Sequence, residues 1–168
     1  MNDQKVIPVS YKDVSPEPHW KDEMKILSEK IMSTEQVESE TNYVYCKVYE
    51  CGDKVYYNAE GHHHREDGPA VEYSNGDKLW YINDKFHRED GPAIDHTDGD
   101  KYWYLNGNLH REDGPALEYS NGNKYWYIND HLNREDGPAL ELVNGDKSWW
   151  LDGKEVTEET VKNLGKMK

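Results

Sequence analysis

The chain has 168 residues, a formal net charge of −14 at neutral pH and an isoelectric point of about 4.9. That balance speaks against nucleic-acid and anionic-membrane surfaces, both of which need clustered Lys and Arg. No apolar run is long enough to span a bilayer and no signal-peptide core opens the chain, so a cytoplasmic protein is expected.

Residues 1–42 read as an N-terminal extension without repeats. Ser15-Pro16 predicts a helix start. Trp20, Met24, Leu27 and Ile31 then fall on one apolar stripe, which predicts an amphipathic helix over about 16–32. Ser33 to Asn42 reads as a linker. Cys46 and Cys51 follow, and a reduced pair is expected.

From there the chain repeats itself. His64-Arg65-Glu66-Asp67-Gly68-Pro69-Ala70 returns at His87, at His110 and, with Asn for His, at Asn133, a constant period of 23 residues. A fixed short period means stacked copies of one supersecondary unit. Within a unit, Asp67-Gly68-Pro69 is turn chemistry, Ala70–Tyr73 has strand composition, and Ser74–Asp77 is a hairpin turn. There Asn-Gly predicts type I′ geometry. Lys78–Ile82 is a second strand, and Asn83-Asp84 turns the chain again. The unit is therefore read as one β-hairpin. About five hairpins are predicted over 43–155, because Val48–Tyr57 is a degenerate first copy in which Tyr56 stands for Trp80. Residues 156–168 are read as a cap, with a short helix from Thr157 to Leu164 covering the last edge.

The predicted fold is mainly β: tandem hairpins forming an elongated, twisted antiparallel sheet, with helical ends. Equivalent side chains form rows. Trp80, Trp103, Trp126 and Trp149 are expected to be the buried row. Tyr81, Tyr104, Tyr127 and Trp150 fall on the opposite face, the expected contact surface. Tyr, Trp and Arg dominate interface hot spots, and a specific partner reads the positions that vary between units. Partner- or ligand-binding residues are accordingly predicted at Phe86, Arg88, Tyr102, Tyr104, Leu109, Arg111, Tyr125 and Tyr127.

The same residues argue against catalysis. A catalytic centre needs one asymmetric constellation, and each unit supplies equivalent groups instead. Each Arg beside its Glu-Asp reads as glue between units. His62-His63-His64, alternating in direction along an extended chain, match no metal-ligand spacing. No metal and no cofactor are expected.

The 23-residue period, with Asn106-Gly107, Gly114-Pro115-Ala116, Asn121-Gly122 and Trp126-Tyr127, resembles the MORN repeat over about 43–155. The likeness is greatest to its divergent bacterial and phage variant. The His-Arg-Glu-Asp opening departs from the plainer turn of the common form. The resemblance implies a non-enzymatic scaffold that binds a protein partner, with a phage-encoded inhibitor of a host defence protein as the setting. Two rival readings stand beside it. One is a sponge that holds an anionic nucleotide between protomers. The other is an acidic nucleic-acid mimic that blocks a DNA-binding enzyme. A homo-oligomer fits any of these; direct nucleic-acid or membrane binding fits none.

Overall fold

A computed structural model describes residues 31–38 and 43–166, with burial known from residue 45 onward. One antiparallel sheet of twelve strands runs through them in nearly sequential order. It opens with Ile31–Glu38, Tyr43–Tyr49 and Lys54–Tyr57. Each unit then contributes two short strands. In the first these are Val71–Glu72 and Lys78–Leu79, and in the last Leu140–Glu141 and Lys147–Leu151. The sheet closes on Lys154–Val156.

A second hairpin sits inside every unit. Tyr81–Ile82 pairs with Lys85–Phe86, Tyr104–Leu105 with Asn108–Leu109, and Tyr127–Ile128 with His131–Leu132. Adjacent copies are joined by Arg88 N–H to Tyr104 C=O (3.1 Å) and Gly107 N–H to Phe86 C=O (2.8 Å). The expectation of one hairpin per unit is therefore corrected to two. The strand read as Lys78–Ile82 is divided at Trp80, whose N–H donates to Ala93 of the next unit at 2.8 Å.

The two hairpins use different turns. At Asn83-Asp84 both residues have positive φ (51° and 60°), the type I′ geometry that suits strand twist. At Ser74-Asn75-Gly76 only the glycine does (φ 98°). There Gly76 N–H donates to Tyr73 C=O and Tyr73 N–H to Asp77 C=O, a type I turn closed by a glycine bulge. The type I′ turn expected at Asn75-Gly76 lies instead in the second hairpin.

The N-terminal expectations also change. Most of the helix expected over 16–32 lies outside the described residues. Its last two residues, Ile31 and Met32, open a strand, and the segment read as a linker continues it to Glu38. That strand pairs with Tyr43–Tyr49 from Glu38↔Tyr43 through Ile31↔Tyr49. Strand formation follows the neighbour's unpaired ladder more than local composition, so a polar segment is recruited. At the other end Glu158–Gly165 forms the helix, capped by Thr157 through its Oγ1 and seated by buried Val161.

The largest correction concerns the faces. Leu79 and Tyr81, two residues apart, are both buried, so Trp80 between them points the other way. Tyr81, Tyr104, Leu109, Leu132 and Tyr125 belong to the core cluster, whereas Trp80 and Trp126 only pack against it. Of the row expected at the contact surface, Tyr81 and Tyr104 are core while Tyr127 and Trp150 pack half-buried against it, and the Trp row expected in the core is half-buried on the second face. A run of ring contacts continues this core along the array: Tyr57, His63, Tyr81, Phe86 and Tyr104 follow one another with centroids 4.2–5.4 Å apart, Tyr81 and Phe86 stacked and the others tilted. Burial pushes the Tyr81 and Tyr104 phenols far above their ordinary range.

Candidate functional site: the arginine–tryptophan face

The second face is built around the His-Arg-Glu-Asp-Gly-Pro-Ala loop. Arg111 lies over the ring of Trp103, its guanidinium carbon 4.0 Å from the ring centre. Its Nε donates to Asp113 Oδ1 (2.8 Å). Its Nη1 donates to the Pro115 carbonyl (3.2 Å) and to Glu118 Oε1 (2.9 Å). Its other side rests on Gly114, where a Cβ would stand 2.8 Å from the guanidinium carbon. Only glycine leaves that space.

Arg65, Arg88 and Arg134 stack in the same way over Tyr56, Trp80 and Trp126 at 3.9–4.1 Å. Arg65 and Arg134 repeat the second carboxylate bond, to Glu72 and Glu141, where the Arg88 unit has the shorter Asp95. In the degenerate first unit Tyr56 thus takes the place of a tryptophan. Hydrogen bonding from the arginines holds the carboxyls of Asp67, Asp90 and Asp113 below the ordinary range. Each arginine belongs to one unit and its ring to the unit before, so this loop locks neighbours together.

Two further devices recur. The histidine that opens the loop reaches the type I′ turn at the end of its own unit: Nδ1 of His64, His87 and His110 lies 2.8–3.0 Å from Oδ1 of Asn83, Asn106 and Asn129. Asn133, standing where the others have histidine, accepts the Asp152 N–H through its Oδ1 at 2.9 Å. At the bulge turns, Oδ1 of Asp53, Asp77, Asp100 and Asn123 accepts the backbone N–H of Ser74, Thr97, Ser120 and Val143. The Asp77 carboxyl is held down at about 2. Burial alone would raise it, but the Thr97 N–H, His96, the Thr97 hydroxyl and Asn75 outweigh that effect.

The predicted site residues separate accordingly. Tyr104, Leu109 and Tyr125 are buried, while Phe86, Tyr102 and Tyr127 are half-buried against the core. Arg88 and Arg111 lie on the second face, engaged by their stacks and forks. That face carries what the sequence reading passed over. Two residues beyond each Trp comes a half-buried aliphatic residue: Ile82, Leu105, Ile128, Leu151. Beside this row project exposed carboxylates, with Glu112 86% and Asp113 84% accessible at one loop. Between two successive loops lies a groove of about 710 Å³. Trp126 and Ile128 contribute to its lining, as do Glu112, Asp113, Glu135 and Asp136 from the flanking loops. The signal for this row was present in the strand parity: Ile128 must share the face of Trp126.

The neighbouring histidines are occupied separately. His63 Nδ1 lies 2.8 Å from Asp84 Oδ1, and His64 turns to Asn83. Among the described residues no group of three or more His, Cys, Asp or Glu is arranged for a metal ion, and no helix is long and apolar enough to cross a membrane. Cys46 is buried and Cys51 exposed, and neither is in a disulfide.

The fold and this face define an array of β-hairpin repeats held together by interlocking loops. Comparison of the chain with family models, with curated proteins and with solved structures finds no match.

Proposed function

We propose that the chain is a non-enzymatic, MORN-like repeat scaffold that binds a protein partner through the arginine–tryptophan face. The observation that carries this reading is how completely each arginine is used. Arg111 spends its ring face, its Nε and its Nη1 inside the array. What remains for a visitor is a stripe of aliphatic side chains beside exposed carboxylates. That mixture, apolar at the centre and charged at the rim, is the composition of a protein interface.

The two rival readings fit less well. A nucleotide sponge needs cationic groups that converge on phosphate, and the arginines here already hold carboxylates. A nucleic-acid mimic needs the charge density of its model. Duplex DNA carries one charge per roughly 1.7 Å of axis. Here one Glu-Asp pair recurs for every two strands, a spacing of about 10 Å, and each pair comes with an arginine. An inhibitor of a host protein is a setting in which such a scaffold would work, as the resemblance implies.

The test is site-specific photo-cross-linking in the native host. A photoreactive residue at position 128 or 105 should capture one defined protein, and the same residue at position 121, on a bulge turn, should not. Capture from 121 and none from 105 or 128 would move the interface to the turn edge. Tight binding of a nucleotide by the purified chain would replace the reading with sequestration.

A further inference from the structure

We propose that the groove between successive loops receives a basic segment of the partner in polyproline II conformation, with Lys or Arg at every third residue. The inference rests on the protein-binding reading above and specifies the chemistry of what is bound.

The groove supplies both halves of the recognition. Ile128 lies in its lining as an aliphatic surface for the methylene stem of a long basic side chain. Glu112 on one loop, 86% accessible, and Glu135 on the next, also exposed, line it and face the charged head. The cations already there do not oppose a visitor. Arg111 is matched by Asp113 and Glu118, and Arg134 by Asp136 and Glu141. Among the described residues no lysine lines the groove. The lysine row, Lys124 and its equivalents, lies two residues before each Trp, on the far side of the arginine–tryptophan row.

The period of the partner follows from the period of the array. Each unit adds two strands to the sheet. At roughly 4.8 Å per strand, equivalent loops recur about every 10 Å. An extended chain rises about 3.3 Å per residue, and a polyproline II chain about 3.1 Å. Three residues of either span one unit, but a β-strand turns every third side chain to its opposite face. A polyproline II chain instead completes one turn in three residues and presents each third side chain to the same carboxylates and the same aliphatic step. Basic residues at every second position, or bunched together, fall out of phase.

The test uses the full chain and fluorescent fifteen-residue peptides of identical composition, with five lysines among Pro and Ser. One peptide has lysine at every third position; its isomer has all five together. The spaced peptide should bind about tenfold more tightly than the isomer, and binding should weaken with salt. The double variant Glu112→Gln, Glu135→Gln alters exposed side chains and should keep the melting temperature. Each neutralisation should weaken the spaced peptide by about two- to fivefold. Asp98→Asn, on a bulge turn, should leave it unchanged.

Equal affinity for the two isomers, or an affinity indifferent to the Glu112 and Glu135 changes, overturns the inference. If cross-linking from position 128 still captures a partner while the peptides fail, the scaffold reading survives and the basic segment does not. If both fail, both readings fall.

Discussion

The guanidinium of Arg111 lies over the indole of Trp103, a residue of the preceding unit, with 4.0 Å between the charge and the ring. Trp103 N–H donates to the carbonyl of Ala116, five residues beyond that arginine, at 2.8 Å. The same ring residue is therefore gripped by one loop twice, once by charge and once by backbone. Every junction between consecutive units repeats this double hold.

Removing either member should expose the coupling. Arg111→Ala and Trp103→Ala should each destabilise the fold. The double variant should cost less than the two together, by about 0.5–2 kcal/mol. Arg111→Lys should rescue little, because lysine keeps the charge and loses the planar fork. Urea denaturation of the four proteins measures this directly. Strict additivity would mean that the stack contributes nothing.

Gly114→Ala probes the same hold from below. The new Cβ would stand 2.8 Å from the guanidinium carbon, so the arginine must lift from its seat. The substitution should lower stability in wild type and have a much smaller effect when Arg111 is already Ala. Thermal melting of both backgrounds separates this from a general intolerance of the loop to alanine.

Leu109 was read from the sequence as a surface position, and the structure places it in the core at 5% exposure. Leu109→Ala should cost about 2–5 kcal/mol, as for a buried leucine. If the melting temperature held while partner binding vanished, the two faces would be assigned the wrong way round.

Asp77 supplies a pH dependence with a defined sign. Its carboxyl titrates near 2 in the folded chain, below the roughly 3.9 of an unfolded aspartate. The unfolded chain therefore binds the proton first. The stabilisation is fully present above about pH 4 and is lost as pH falls towards 2. Asp77→Asn should flatten that part of the acid unfolding curve. The next unit but one already places Asn123 at this position, where it accepts the Val143 N–H at 2.9 Å, so the turn should survive the change.

The period and the positions of the turns are legible because each follows from local chemistry, whereas the type of each turn and the division of the second strand at Trp80 depend on pairing with the next unit. Asp-Gly-Pro, Asn-Gly and the aromatic runs mark punctuation that tertiary context does not overrule. The faces are not legible. Leu79, Trp80, Tyr81 and Ile82 are apolar without interruption, so alternation cannot say which parity is buried. The larger ring was assigned inward, yet an arginine from the next unit covers it and frees the smaller Leu and Tyr for the core. The strand at Ile31–Glu38 escaped for another reason: its Ser, Thr, Glu and Gln carry no strand pattern, and pairing with Tyr43–Tyr49 creates it. The arginine's role as glue was readable from its acidic neighbours. The aliphatic row at Ile82, Leu105 and Ile128 needed the face assignment first.

The bulge-turn acceptors all point one way: Asp53 holds the amide of Ser74, Asp77 that of Thr97, Asp100 that of Ser120. Each unit thus closes its predecessor and prepares a seat for its successor, without reference to the chain further off. An in-frame duplication of one unit would meet a ready seat on both sides and lengthen the arginine–tryptophan face by a single step. The length of that face is then something heredity can adjust by copying, with no new junction to invent.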